Sequence, residues 1–283
     1  MQEKLIDLIL WINKKFFFKR EHPFNIEKNW ILNLNYSDFE YKHSKKLLEM
    51  YSNIINLDIL KNKKILDVWC WAWWKAVYIA KKYNVEVYGI DINNNFLSQA
   101  KDFARQNKVD KLVYFDNASA LNTGFQVDKF DIIIMSDVIE HIPETEKLFN
   151  EMWRILKPWW IILFDFAPYY HYFWHHLWDT IQIPWIHLFF SDSFLIKLYK
   201  KSTKNLIDWK QRIDLRVGKK DKKEVFDYLN KITRKDFEKV MWRFCEEKKC
   251  FIQYYMLKWM KFFWKIPFLR EIFIKHIVWY IKK

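Results

Sequence analysis

Two carboxylates, Asp67 and Asp91, stand 24 positions apart, and the first lies just ahead of a six-residue run, Trp69-Cys70-Trp71-Ala72-Trp73-Trp74. Each follows or closes a short apolar run. In sheets built of alternating strands and helices, the loop after the first strand lets the backbone approach a ligand, and an acid after the second strand holds ribose hydroxyls. Asp67, Trp69, Cys70 and Trp71, with Asp91 and the adjoining Ile92, are therefore candidates for holding a nucleoside. Asp137 ends the apolar run FDIIIMSD and would line the same edge. Proton transfer has its own candidates in His141, His175 and His176, with His171 close by, since an imidazole near pKa 6.5 suits abstraction from a phenol or an acid. Each has a plainer reading: His141 as a cap of the following helix, His175 and His176 as packed side chains. No carboxylate or cysteine cluster accompanies these histidines, so no metal site is expected.

The loop as written could not do this work, because four indoles fill the space a ligand needs. Average glycine usage of about 7% corresponds to roughly 20 residues here, whereas the chain has Gly 3 and Trp 17. Tryptophan is in excess by about what glycine lacks. The positions agree: ILDVWCWAWW puts indoles where a strand turns into a helix, and LKPWW puts Trp159 and Trp160 after Lys-Pro, where glycine supplies a positive φ. The expectation is that UGA codons meaning glycine have been rendered as tryptophan. Trp153, inside a helical pattern, and Trp185, in the aromatic stretch IPWIHLFF, are left as genuine.

The elements that must position these residues follow from periodicity. Strands are expected at KKILDV, VEVYGID, KLVYF, FDIIIMSD and IILFDF, and helices at AVYIAKKY, FLSQAKDFARQN and TEKLFNEMWRIL. FDIIIMSD is apolar almost throughout, as a central parallel strand is. This alternation specifies an α/β fold, a doubly wound, mostly parallel, seven-stranded Rossmann-like sheet. Residues 1–60 read as an N-terminal helical segment, 61–166 as the cofactor-binding core and 167–235 as a helical, aromatic cap insertion. Residues 236–283 supply a C-terminal helix and the final antiparallel strands, FIQYYML and HIVWYIK. Further helices are expected at 222–232 and 234–246.

With glycines restored, ILDVWCWAWW resembles the first motif of class I S-adenosylmethionine-dependent methyltransferases, and the likeness runs through more than half the chain. YGID resembles the second motif, with Asp91 as its ribose acid. Asp116-Asn117-Ala118, in DNASAL, resembles the segment that contacts adenine, with Asn117 in place of the usual aspartate; its amide oxygen can still accept a hydrogen bond. FDIIIMSDVIEHIPE, including Glu140-His141, is similar to the branch that methylates ubiquinone and menaquinone precursors, and RILKPWW is similar to the turn before strand five. The resemblance implies S-adenosylmethionine as cofactor and a small-molecule or lipid-like acceptor. The restored loop also satisfies the dinucleotide fingerprint, but Asp67, Glu140-His141 and the Lys-Pro turn lie outside that pattern. No DPPY-like or Pro-Cys motif points to a nucleic-acid base.

Composition sets the remaining bounds. The net charge of +14 sits entirely in residues 195–283, with 25 Lys+Arg against 10 Asp+Glu. Such a surface is either simply solvated or faces an anion, which keeps RNA methylation and an acidic membrane surface as alternatives. A non-catalytic binding protein follows if the loop tryptophans are real. Charges such as Asp165 and Asp179 break every apolar stretch, so no transmembrane segment is expected. The first twenty residues read as an amphipathic helix rather than a secretion signal. Three cysteines, Cys70, Cys245 and Cys250, leave an odd thiol and no disulfide framework, and the expected location is cytoplasmic, with peripheral membrane contact as a further option.

Overall fold

The computed structural model describes residues 2–18, 34–68, 74–92, 97–245, 250–257 and 265–283. Its elements, in chain order, are α1 (Gln2–Ile12), α2 (Leu34–Ser52), β1 (Lys64–Val68), α3 (Trp74–Tyr83), β2 (Glu86–Asp91), α4 (Leu97–Gln106), β3 (Val113–Asn117) and β4 (Phe130–Ser136). There follow α5 (Thr145–Ile155), β5 (Leu156–Phe166), α6 (Ile186–Phe189), α7 (Asp192–Thr203), α8 (Trp209–Asp214), β6 (Gly218–Lys220) and β7 (Lys223–Val225). The chain closes with α9 (Arg234–Met241), β8 (Cys250–Met256), α10 (Pro267–Phe273) and β9 (Ile274–Lys282).

Seven strands form one sheet in the order β3-β2-β1-β4-β5-β9-β8. β1 through β5 pair in parallel, and β9 runs antiparallel to β5. The doubly wound sheet with its antiparallel return is what the alternating pattern required. From Phe130 to Met135, β4 is buried residue after residue, so both of its faces must be covered. One cover is a cluster in which Ile65, Ile132, Ile134 and Leu163 meet Leu48, Tyr51, Val77, Ala80 and Ala104.

The chain divides into two compact units. One, residues 37–167, 232–255 and 276–283, holds the sheet's core; the other comprises 1–36, 168–231 and 256–275. In the second unit, Ile6 and Ile9 of α1 pack with Leu177, Ile181, Leu195, Leu198 and Tyr199. The Asn13 side chain spans the backbone there, donating to the Thr180 carbonyl at 2.9 Å and accepting the Gln182 N–H at 2.7 Å. A buried ion pair, Arg212 to Asp179 at 2.7 Å, also takes the Tyr199 hydroxyl.

Three expectations are corrected. The stretch 222–232 is not a helix: β6 and β7 form a hairpin, and Lys223 to Val225 pair with Lys220 to Gly218. Its charged residues mimic helical spacing, but Asp221 and Lys222 take positive φ of 50° and 64°, which suits a tight hairpin turn. The helix after Thr233 ends at Met241, short of Glu246. Cys245 and Cys250 are joined by a disulfide across a Cα separation of 5.6 Å. Counting thiols missed it because pairing depends on how closely two cysteines approach, which a count does not show. The odd-thiol argument for a reducing compartment falls with it. Among the described residues, no helix is long and apolar enough to cross a membrane.

Backbone conformation bears on the glycine deficit. Gly124 has φ +71°, and a Cβ on Gly218 would lie 1.7 Å from an Asp227 carboxylate oxygen. Gly124 thus sits where the backbone favours glycine, whereas at Gly218 the neighbouring Asp227 side chain would have to move. Trp159 has the same φ, +71°, with its side chain 75% exposed. Trp185 is left-handed as well, at +57°, although its indole is packed and donates to the Tyr170 and Ile272 carbonyls.

Glu151 on α5 secures the segment between β3 and β4 by accepting both the N–H and the hydroxyl of Thr123, at 2.9 and 2.6 Å, alongside Arg154. Arg154's hydrogen bond is the main cause that holds its carboxyl at about 2 against an ordinary 4.5. A depressed carboxyl stabilises the fold above its unfolded pKa, and that contribution is lost as pH falls from about 4.5 towards 2. Glu151→Gln is expected to cost up to about 3 kcal/mol near neutrality. Urea unfolding should show the gap between variant and parent closing on acidification; a gap that is constant with pH would contradict this assignment.

Candidate active site

The strand order reverses between β1 and β4, and in open α/β sheets ligands bind outside the carboxyl ends of the strands at that point. The register aligns those ends. Val68 pairs with Ile90 on one side and Met135 on the other, and Asp91 pairs with Asn117.

Asp67 is wholly buried, and Lys75 Nζ, in the first turn of α3, meets its Oδ1 at 2.8 Å. Burial raises the Asp67 pKa while Lys75 opposes the rise. The pair ties the end of β1 to the start of α3. Trp69, Cys70 and Trp71, expected in that loop, lie outside the described residues.

Asp91 ends β2 and is 5% exposed. Its carbonyl accepts from Asn117 Nδ2 at 2.9 Å and from the Ala118 N–H at 3.1 Å, so the turn after β3 is stitched to the end of β2. Because the Asn117 amide donates inward through nitrogen, its oxygen remains the accepting end. Asp116 and Asn117 are exposed, and Ile92 is 60% exposed, offering apolar surface beside the buried acid. Asp67, Asp91, Ile92, Asp116, Asn117, Ala118 and Asp137 thus share the carboxyl edge of β1 to β4.

Asp137 follows β4 with φ +52°, its N–H donating to the Asp165 carbonyl at 3.0 Å and its carboxylate over half exposed. His141 closes the single turn Ile139–His141 and is half-buried. Beside it, Glu140 is fully buried; burial, then the charges of Asp137 and Asp165, push its carboxyl well above the ordinary range, which favours the neutral acid.

His175 and His176 belong to the other unit. His175 is 2% exposed, and its Nδ1 accepts the Leu177 N–H at 3.0 Å. His176 has φ +49°, and its carbonyl accepts Arg216 Nε at 3.2 Å.

One group escaped the sequence reading. Asp165, Tyr51 and His276 are joined by hydrogen bonds at 2.5 Å, and His276 Nε2 lies 3.9 Å from Asp137 Oδ1. Asp165 had served only as a charge interrupting an apolar run. The lone acid in IILFDF, facing a strand of the same sheet that begins near a histidine, was the available signal.

Residues 66–164 match the family model described as a methyltransferase domain. Phosphoethanolamine N-methyltransferase 2 of Caenorhabditis elegans is 30% identical over 130 residues, 46% of this chain and 28% of that protein. Methyltransferase GfsG of Streptomyces halstedii is 32% identical over 36% of this chain and 37% of its own. Norajmaline N-methyltransferase of Rauvolfia serpentina is 30% identical over 38% and 37%. The chain therefore spans only about a third of the curated relatives it matches. The crystal structure of the PH0226 protein from Pyrococcus horikoshii OT3 shares the fold, with a TM-score of 0.50 and 16% identity over 90% of this chain and 95% of that one.

Burial, with a smaller push from His187, lowers the His175 pKa to about 3. The ring is therefore neutral at physiological pH, with its proton on Nε2 because Nδ1 accepts. A lowered imidazole pKa makes the unfolded chain the stronger proton binder, so this group's contribution to stability declines as pH falls from 6.5 towards 3. Nitrogen-15 NMR should show His175 as an unchanging neutral Nε2–H tautomer from pH 8 to 5; titration near 6.5 would refute the packing.

Proposed function

We propose that this chain transfers a methyl group from S-adenosylmethionine to a small-molecule or lipid-like acceptor. The observation that carries the reading is the buried acid Asp91, tied through its carbonyl to Asn117 and Ala118 at the strand switch point, within a segment that matches a methyltransferase domain.

The donor set fits the cofactor. A buried carboxylate at the end of β2 suits a ribose diol, the Asn117 amide oxygen and the exposed Ile92 suit the polar edge and face of a purine, and the exposed Asp137 carboxylate on the same edge suits a cationic group. When bound, the cofactor supplies a methyl already activated on sulfonium. The protein's part is to hold the acceptor in line and exclude water, which can contribute several kcal/mol. His141, next to buried Glu140, is the proposed proton acceptor on this edge for an acceptor that starts protonated. For His175, neutrality and burial favour a packing role.

The relatives named for phosphoethanolamine and norajmaline N-methylation support a small acceptor, as does the likeness of FDIIIMSDVIEHIPE to the quinone-precursor branch. RNA methylation through the basic residues 195–283 is the alternative that the charge distribution keeps.

The reading includes glycine at Trp69, Trp71, Trp73, Trp74, Trp159 and Trp160. Trp159 supports it: a left-handed backbone costs an ordinary residue about 1–2 kcal/mol and glycine almost nothing. The left-handed Trp185 is not added to the candidates, because its indole is packed and makes two hydrogen bonds.

Calorimetry with S-adenosylmethionine tests the proposal on the written chain and on one with glycine at residues 69, 71, 73 and 74. Binding is expected in the second and not in the first. Asp91→Ala in the glycine form should weaken binding by roughly 10- to 100-fold, the value of a charge-assisted hydrogen bond at about 1.5–3 kcal/mol. Failure of the glycine form to bind would overturn the reading, and UGG codons at these positions would overturn the recoding.

A further inference from the structure

Three side chains converge on one buried carboxylate. Asp165 is 1% exposed; its Oδ1 accepts the Tyr51 hydroxyl at 2.5 Å, and its Oδ2 accepts from Ser136 Oγ at 3.2 Å and from His276 Nε2 at 2.5 Å. The exposed Asp137 carboxylate reaches the same point, so that Asp137 Oδ1, Asp165 Oδ2 and His276 Nε2 all lie within 4.8 Å of one another. The topology explains the meeting. Ser136 pairs with Asp165 across β4 and β5, and because β9 is antiparallel, with Ile277 opposite Phe166, His276 enters beside the carboxyl end of β5.

We propose that Asp137, Asp165 and His276 form a binding site for a divalent cation of the Mn2+, Fe2+ or Zn2+ class, with Tyr51 as the positioning residue behind Asp165. One imidazole and two carboxylates are the donors that such borderline ions take. At metal–ligand distances of about 2.0–2.2 Å, ligand atoms stand roughly 3–4 Å apart, and the 3.9 Å between His276 Nε2 and Asp137 Oδ1 falls in that range. The contact between His276 and Asp165 is closer, because a proton lies in the hydrogen bond between them. The ion replaces that proton, which leaves to solvent, and the pair opens by about half an ångström to admit it.

Charge favours the exchange. Two carboxylates meet here, one of them buried, with the fully buried Glu140 close enough to feel both, and convergent acids of this kind are stabilised by a cation. The Tyr51 hydroxyl fixes Asp165 from behind through Oδ1 and aims Oδ2 at the site, the arrangement by which outer partners orient a ligand. On the other side Asp137 is over half exposed, so the remaining coordination positions open outward and would take water or an oxygen-bearing ligand. The site's existence is independent of methyl transfer; only its use in holding an acceptor through oxygen rests on the proposed function.

The full chain, freed of metal by chelator and dialysis, is titrated with Mn2+ by electron paramagnetic resonance and with Zn2+ by competition against a chromophoric chelator. S-adenosylhomocysteine binding is measured alongside, on the form with glycine at residues 69, 71, 73 and 74. Saturable uptake of one ion per chain is expected, weakened at least 10-fold by His276→Ala and by Asp137→Asn, and about 10-fold by Tyr51→Phe, the usual scale for an outer-shell partner. Asp137 is exposed enough that its variant should fold even where the histidine variant does not. No uptake by the parent, or equal uptake by parent and Asp137→Asn, overturns the site and leaves His276 and Asp165 as a hydrogen-bonded pair. Absence of nucleoside binding by the form with glycine at residues 69, 71, 73 and 74, with metal uptake intact, overturns methyl transfer instead.

Discussion

Strand β4 has no side that faces water. From Phe130 to Met135 every residue is buried, and an apolar strand of that kind can only sit at the centre of a sheet covered by helices on both faces. Parallel neighbours then require crossover connections, so β1 and β4 stand side by side with their chains leaving in opposite directions. The reversal of strand order at their carboxyl ends is a by-product of burying β4. Asp67, Asp91 and Asp137 gain their positions from that packing, because a fixed register leaves each strand's final residue only one place to be.

The same edge concentrates negative charge, and the protein meets it in different ways along its length. Asp67 is paired with Lys75. Glu140 is driven towards its neutral form by burial and by its acidic neighbours. Asp165 is wrapped by hydroxyl and imidazole donors. Arg212 and Asp179, in the other unit, show the more usual solution of a direct buried pair. The edge around Asp137 and Asp165 relies instead on hydroxyl and imidazole donors gathered on one buried carboxylate.

Backbone sterics connect the sequence anomaly to the fold. The written glycine at 124 takes a left-handed backbone that strains any Cβ, while Trp159 takes the same conformation and projects its indole into solvent. A residue that gains nothing by packing and pays for its backbone is poorly matched to its site. Trp185 pays the same cost but has packing and two hydrogen bonds to set against it.

The order of strands and helices and the identity of the acids after β1, β2 and β4 were legible in the sequence, since alternation and apolar runs depend on local side chains alone. The sequence singled out Asn117, but not the stitch its amide nitrogen makes to the Asp91 carbonyl. Local pattern failed where charge spacing imitated a helix at 222–232, and where two cysteines approached closely enough to pair. It could not find the Tyr51, Asp165 and His276 group, whose members are more than a hundred residues apart. Side-chain chemistry is written residue by residue, whereas convergence on one carboxylate is decided by sheet register and strand direction, and those exist only once the antiparallel β9 has been laid against β5.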